Sequence, residues 1–132
     1  MAIQNQVPTP VFGINGSSMA TSQISQVFIL SNLTGISYGI SWTNGSSPVG
    51  NILVEVSNDY ALNGQGQVVN AGTWNVLPFL VSGSYVTSIP ISGSSGNGFL
   101  DAGEIHAYAV RLVYQATSGT GTIFANFVGK FD

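Results

Sequence analysis

The sequence contains no cysteine, which excludes disulfides and thiolate metal sites and leaves the compartment open. Charge is almost as scarce. Asp, Glu, Lys and Arg make up 5% of the 132 residues, against roughly 25% in an average globular domain. The only Lys or Arg residues are Arg111 and Lys130, and the formal net charge is -3. Direct nucleic-acid binding depends on several Lys or Arg contacts to phosphate, so no nucleic-acid partner is expected. An anionic membrane surface is disfavoured for the same reason. Long apolar runs are missing too. Stretches such as Val27-Phe28-Ile29-Leu30 fall far short of the roughly 18 residues of a spanning helix. No membrane span is expected, despite a mean hydropathy of +0.33. The opening "MAIQNQVPTPVFG" has neither a basic region nor an apolar stretch of the kind that marks a secretory leader.

What is present is Gly, Ser, Thr and Asn between short β-forming stretches. Glu, Lys and Arg, strong helix formers, are nearly absent, while Val, Ile, Thr, Tyr and Phe recur. The length suits one domain. Strands are expected at 23–30, 36–43 and 51–58. In the second of these Ile36, Tyr38, Ile40 and Trp42 share one face and Ser37, Gly39, Ser41 and Thr43 the other, an alternation of period two. In the third, Ile52, Val54 and Val56 point inward and Leu53, Glu55 and Ser57 outward. "NGSSPVG" at 44–50 reads as a turn. A polar loop follows at 58–72, with a short strand at 67–69, then strand-like stretches at 73–81 and 85–91. Residues 92–98 read as a flexible loop and 99–106 as a turn or single helical turn. A closing hairpin is expected, with strands at 106–116 and 122–130 around the turn formers of 117–121. Seven or eight strands with frequent turn signals predict an all-β, antiparallel two-sheet β-sandwich, jelly-roll-like. Residues 1–22, with Pro8 and Pro10, read as an extended arm and loop, and 23–132 as the sandwich domain.

Little here points to catalysis. The single histidine, His106, would need a nucleophile and an orienting carboxylate. The Ser-rich "SGSSGNG" lacks the strand–turn–helix setting of a nucleophile elbow. The carboxylates Glu55, Asp59, Asp101, Glu104 and Asp132 offer no spacing that brings a catalytic pair together. Oxygen ligands for calcium occur at Asn58, Asp59, Asn63, Asp101 and Glu104, without an EF-hand pattern. One histidine and no cysteine argue against zinc. No enzyme and no cofactor are expected. Aromatics that would suit stacking against a sugar are Tyr60 above all, in the long loop, with Trp74, Tyr85 and Trp42 as further candidates; Trp42 falls on the apolar face of its strand and is expected in the core. Arg111 faces away from the Tyr108, Val110 and Leu112 side and is expected to pair with Glu55 or Glu104 across a sheet, fixing register or an intersubunit contact.

Two stretches carry a family resemblance. One is "GNILVEVSND" with the later "GTWNVLP"; the other is "AYAVRLVYQATSGTGTIFANFVGK". Together they resemble small β-sandwich structural proteins of tailed-bacteriophage particles. The matching residues are Val54, Ser57, Asn58, Asp59 and Trp74, then Tyr108, Val110, Arg111, Tyr114 and 117–122, over about the C-terminal two-thirds of the chain. The loop before Trp74 is longer than in the pattern, and the N-terminal segment has no counterpart in it. The resemblance implies a non-enzymatic capsid decoration (cement) or minor capsid protein, located in the virion and bound to a major capsid protein. Self-association, as a homotrimer, is expected with it. The expected interaction residues are Pro8, Pro10 and Phe12 on the arm, Tyr60 in the long loop, and Arg111 and Lys130 on the last strands. The alternative is a carbohydrate-binding module that recognises a host-surface glycan through Tyr60.

Overall fold

The computed structural model describes residues 4–5, 9–12, 16–30, 33–81, 83–103 and 105–131. Among these, all regular structure is strand. Five short strands, β1 (Gln4–Asn5), β2 (Thr9–Pro10), β3 (Ser17–Ser18), β4 (Gln23–Ile24) and β5 (Phe28–Ile29), precede the 25-residue β6 (Leu33–Ser57). Then come β7 (Ala61–Leu62), β8 (Val68–Asn70), β9 (Asn75–Val76), β10 (Phe79–Val81), β11 (Ser84–Val86), β12 (Ile89–Ser92) and β13 (Gly96–Gly103). The 23-residue β14 (Ala109–Phe131) closes the described chain.

The frame is the antiparallel pair β6 and β14, matched from Ala109 opposite Ser57 to Phe131 opposite Leu33. Both are far longer than the usual strand of about 3–10 residues. Each contains a turn-forming stretch, 44–50 in one and 117–121 in the other, and neither reverses direction there. The two stretches lie opposite each other, with Ser118 matched to Val49 and Thr120 to Ser46, and the register shifts repeatedly between Ala116 and Thr122. Asn44 and Ser47 take positive φ, 54° and 49°, and Gly119 takes 82°. Such irregularities bend and twist a ladder without ending it. The expected closing hairpin is therefore corrected: 117–121 is a corner inside one strand, because its partner bends beside it and keeps the ladder joined.

The described residues of the N-terminal segment pair at intervals with the other side of β14. Gln4 lies opposite Phe131, Pro10 opposite Asn126, Ser18 opposite Thr122, Ile24 opposite Val113 and Ile29 opposite Ala109. Between these, Val11, Met19, Ser25 and Leu30 donate backbone N–H bonds to Ala125, Gly121, Leu112 and Tyr108. The described residues on both sides of position 22 thus form one interrupted edge. On the far side of β6, β13 pairs with its first half and β12 and β9 with its second. Over residues 96–103 this corrects the loop expected at 92–98 and the turn or helical turn expected at 99–106. Gly96 makes the pairing sterically feasible, since a Cβ there would lie 2.3 Å from the Trp42 ring.

Ten strands join in one antiparallel network, while β7–β8 and β10–β11 form two separate hairpins. The expected two separate sheets are one hydrogen-bonded sheet bent on itself, because β6 and β14 run through both halves. The core lies between the halves. Ile36, Tyr38, Ile40 and Trp42 are all buried, with Ile52, Val54, Val110, Leu112, Tyr114, Ile123 and Phe127. Phe28, paired to the second half, stacks on Phe127 of the first half at 3.9 Å and 8°. Leu53, expected outward to solvent, is buried; it sits beside Val113, which in turn flanks Ile24, in an apolar cross-strand row.

Tyr38 and Tyr114 bury their hydroxyls without a hydrogen-bond partner among the described residues. Burial pushes the Tyr38 phenol far above its ordinary range. An unpartnered buried hydroxyl costs about 1–3 kcal/mol. Tyr38→Phe is therefore expected to leave stability unchanged or raise it by up to about 1 kcal/mol. A clear loss in urea denaturation would show that the hydroxyl is paired.

Candidate functional site

Where β6 ends, three consecutive side chains tie down the loop that follows. Ser57 Oγ donates to Asp59 Oδ1 at 2.8 Å and accepts from the Tyr60 N–H at 3.2 Å. Asn58 Oδ1 accepts from the Tyr108 N–H at 2.9 Å. Asp59 spans the loop: the Thr73 N–H donates to Oδ1 at 2.6 Å and the Thr73 hydroxyl to Oδ2 at 3.0 Å. Further along, Asn63 Oδ1 accepts from the Gln65 and Gln67 N–H groups. Residues 58–72 are thus a stapled projection, with the hairpin β7–β8 at its end. Of the oxygens considered for calcium, those of Asn58, Asp59 and Asn63 serve as acceptors for backbone and hydroxyl donors, and Glu104 lies outside the described residues. Among the described residues no cluster of three metal-ligating side chains forms.

These bonds, the Thr73 N–H first and then the Ser57 and Thr73 hydroxyls, hold the Asp59 carboxyl below its ordinary 3.8. A carboxyl depressed on folding contributes stability in full above its unfolded value. That contribution is lost as pH falls through the lower folded value. The Thr73 amide is expected to be protected from hydrogen exchange at neutral pH and to lose that protection in acid below the ordinary Asp range. Asp59→Ala should show the reduced protection factor already at pH 7 and remove the acid dependence. A pH-independent protection in the native protein would contradict this.

Beside the staple, Arg111 lies directly across the ladder from Glu55. Its Nη2 and Nε both reach Glu55 Oε1, at 2.7 and 2.8 Å. The guanidinium also covers the Trp74 ring at 4.1 Å, a cation–π contact. Trp74 Nε1 donates to the Ala71 carbonyl at 2.9 Å, and the half-buried Tyr60 ring leans on Trp74 at 5.8 Å. Arg111, Glu55, Trp74 and Tyr60 therefore form one contiguous group that anchors the loop to the sheet.

A groove of about 690 Å³ opens on the other side of the same strand end. Leu77, Phe79, Ala102 and Ile105 line its apolar part, and Asn58, Tyr85, Asp101 and His106 line it with polar groups. A smaller cleft of about 220 Å³ shares Val56, Asn58 and Ala107 with it and adds Asp59, Thr73 and Asn75. No Lys or Arg lines either space. Asp101 and His106 both line the groove, yet no serine lies among its lining residues. This convergence was not legible in the sequence, because Asn58, Tyr85 and the 101–107 stretch reach it from three separate segments. The only signal was the carboxylate and histidine close together in "FLDAGEIH".

The other expected interaction residues are dispersed. Pro8 lies outside the described residues. Pro10 is exposed on β2 opposite Asn126. Phe12 is buried in the core at 4% exposure, so its side chain is not on the outer surface; its carbonyl accepts a short hydrogen bond from the Ser17 hydroxyl. Lys130 is exposed on β14, between Asn5 and Gly35. Among the described residues, the two hairpins carry Leu62, Val68 and Val69 on β7–β8 and Leu80 and Tyr85 on β10–β11 as exposed apolar side chains, while Ile24, Val49, Val76, Phe99 and Tyr108 are exposed elsewhere on the surface.

No family model matches the chain, and none of the curated proteins matches its sequence significantly. Among solved structures, the SPBc2 prophage-derived protein YomS aligns with a TM-score of 0.63 at 10% sequence identity. The alignment covers 98% of this chain and 96% of that one. At that identity the likeness is one of fold.

Proposed function

We propose that this chain is a structural component of a bacteriophage particle, a capsid decoration or minor capsid protein without enzymatic activity. It would associate with itself, as a trimer, and with a major capsid protein. The observation that carries the reading is the fold shared with a prophage-derived protein over nearly the whole of both chains. The surface supports it. With 5% charged residues, there is little electrostatic repulsion to keep copies apart. The stapled loop presents Leu62, Val68 and Val69 to solvent, and such apolar projections suit burial against a neighbour.

Two measurements test this. Light scattering at micromolar concentration is expected to give a discrete oligomer, and the Val68→Asp, Val69→Asp double variant a smaller mass with the fold intact. Antibody labelling of purified phage particles is expected to find the protein at many regular positions. Particles that lack it, or a monomer at every concentration, would count against the reading.

A further inference from the structure

The groove below the β10–β11 hairpin has a chemistry of its own. Its volume falls within the roughly 300–1,000 Å³ of small-molecule sites. The wall formed by β10–β11 carries Tyr85, which is 77% exposed, beside its cross-strand neighbour Leu80, 53% exposed. A single tyrosine ring held this far out on a short hairpin gains little from packing against its own chain. Asp101, His106 and Asn58 line the same groove. Asn58 is held in place by its oxygen, which accepts from the Tyr108 N–H, so its amide NH₂ is oriented by a fixed partner. The polar series continues into the adjoining cleft with Asp59, Thr73 and Asn75.

We propose that this groove binds a neutral saccharide. The chemistry of the lining selects that class. Phosphorylated, sulfated and carboxylated ligands are disfavoured, since no Lys or Arg lines the groove or the cleft while Asp101 and Asp59 do. A purely apolar ligand would cover the Asp101 carboxylate and the His106 imidazole without offering them a hydrogen bond. A neutral sugar satisfies both sides. The C–H face of one ring packs on Tyr85 and Leu80, and its hydroxyls pair with the carboxylates, amides and imidazole. The cleft, about 220 Å³, shares Val56, Asn58 and Ala107 with the groove and offers space for a further ring. The site is distinct from Tyr60, whose ring is half-buried against Trp74. It also stands apart from the particle-assembly reading, because none of its lining residues belongs to β7–β8.

The test uses the full chain on an array of neutral and anionic glycans, followed by NMR titration with the neutral trisaccharides maltotriose, cellotriose and chitotriose. Binding to at least one neutral glycan is expected, with amide shifts at Asn58, Tyr85, Asp101 and His106. Tyr85→Ala and Asp101→Ala, both at exposed positions, should each weaken that binding at least tenfold while the melting temperature stays within a few degrees. Phe99→Ala removes another exposed ring, 65% exposed and outside the groove, and should change nothing. The proposal is overturned by any of three results: no neutral glycan bound, binding confined to anionic glycans, or binding that survives Tyr85→Ala. A smaller oligomer in Tyr85→Ala would overturn it as well, by giving the groove to a second copy. Labelling of phage particles is read separately, so the two proposals can fail independently.

Discussion

Phe127→Ala is expected to be the most damaging single side-chain truncation in the protein, at about 3–5 kcal/mol. Phe127 is fully buried on β14. Its ring stacks on Phe28 at 3.9 Å and meets Tyr38 edge-on at 5.3 Å. Tyr38 is its cross-strand neighbour in the first half of the bent sheet, while Phe28 comes from the edge strand of the second half. Removing Phe127 therefore opens a cavity between the halves and removes two aromatic contacts, each worth about 0.5–1.5 kcal/mol beyond area burial. Small domains are stable by only about 5–15 kcal/mol, so the variant should melt roughly 10–20 °C lower. Phe28→Ala should fall short of this, since Phe28 is only partly buried. A loss below about 1 kcal/mol in Phe127→Ala would mean that the halves are not held together by this stack.

The second large effect is expected at a residue with no side chain. Gly119 has φ +82°, and a Cβ there would lie 2.2 Å from the Ser47 carbonyl oxygen and 2.6 Å from Pro48 Cα. Both obstacles are backbone, so no rotamer change relieves them. Left-handed backbone costs a residue with a Cβ about 1–2 kcal/mol, and overpacking a tight site about 1–3 more. Gly119→Ala should thus lose about 2–5 kcal/mol, read as a lower urea midpoint with an unchanged slope. Gly64→Ala is the control. Nothing stands within 4 Å of a Cβ at Gly64, and the change should stay within about 0.5 kcal/mol. Equal stability of the two variants would show that the corner is not as tight as its geometry implies.

At Gly119 local sequence and tertiary structure diverge. "TSGTG" reads as a hairpin loop because Gly, Ser and Thr cluster there, and 44–50 reads as a turn for the same reason. Local chemistry distinguishes a chain that bends from one that reverses only through its partner. Here the two bend-forming stretches lie opposite each other, so the ladder continues and both strands turn the corner together. The same limit applies to "SGSSGNG". Its glycines suggested flexibility, but Gly96 is needed for β13 to pass the Trp42 ring.

Other features were legible. The alternation Ile36, Tyr38, Ile40, Trp42 gave the inner face correctly, because a strand's side-chain period is two whatever it pairs with. The placement of Arg111 opposite the apolar face narrowed its partners to two carboxylates, and the ladder register brings it to Glu55. The groove was not legible in this way. Asn58, Tyr85, Asp101 and His106 come from separate segments spread over residues 58–106, and no periodicity links them.

Composition and alternation by themselves determined that the chain is built of strands and that Ile36, Tyr38, Ile40 and Trp42 face inward. Each of these depends on a residue and its near neighbours alone. Tertiary structure decided that two long strands run through both halves, that the N-terminal residues line the edge of β14, and that three distant segments enclose one groove. Those outcomes depend on which segments pair and in what register. That choice is made by burying Phe28 against Phe127 and by fitting glycines where backbones cross, interactions between residues remote in the chain.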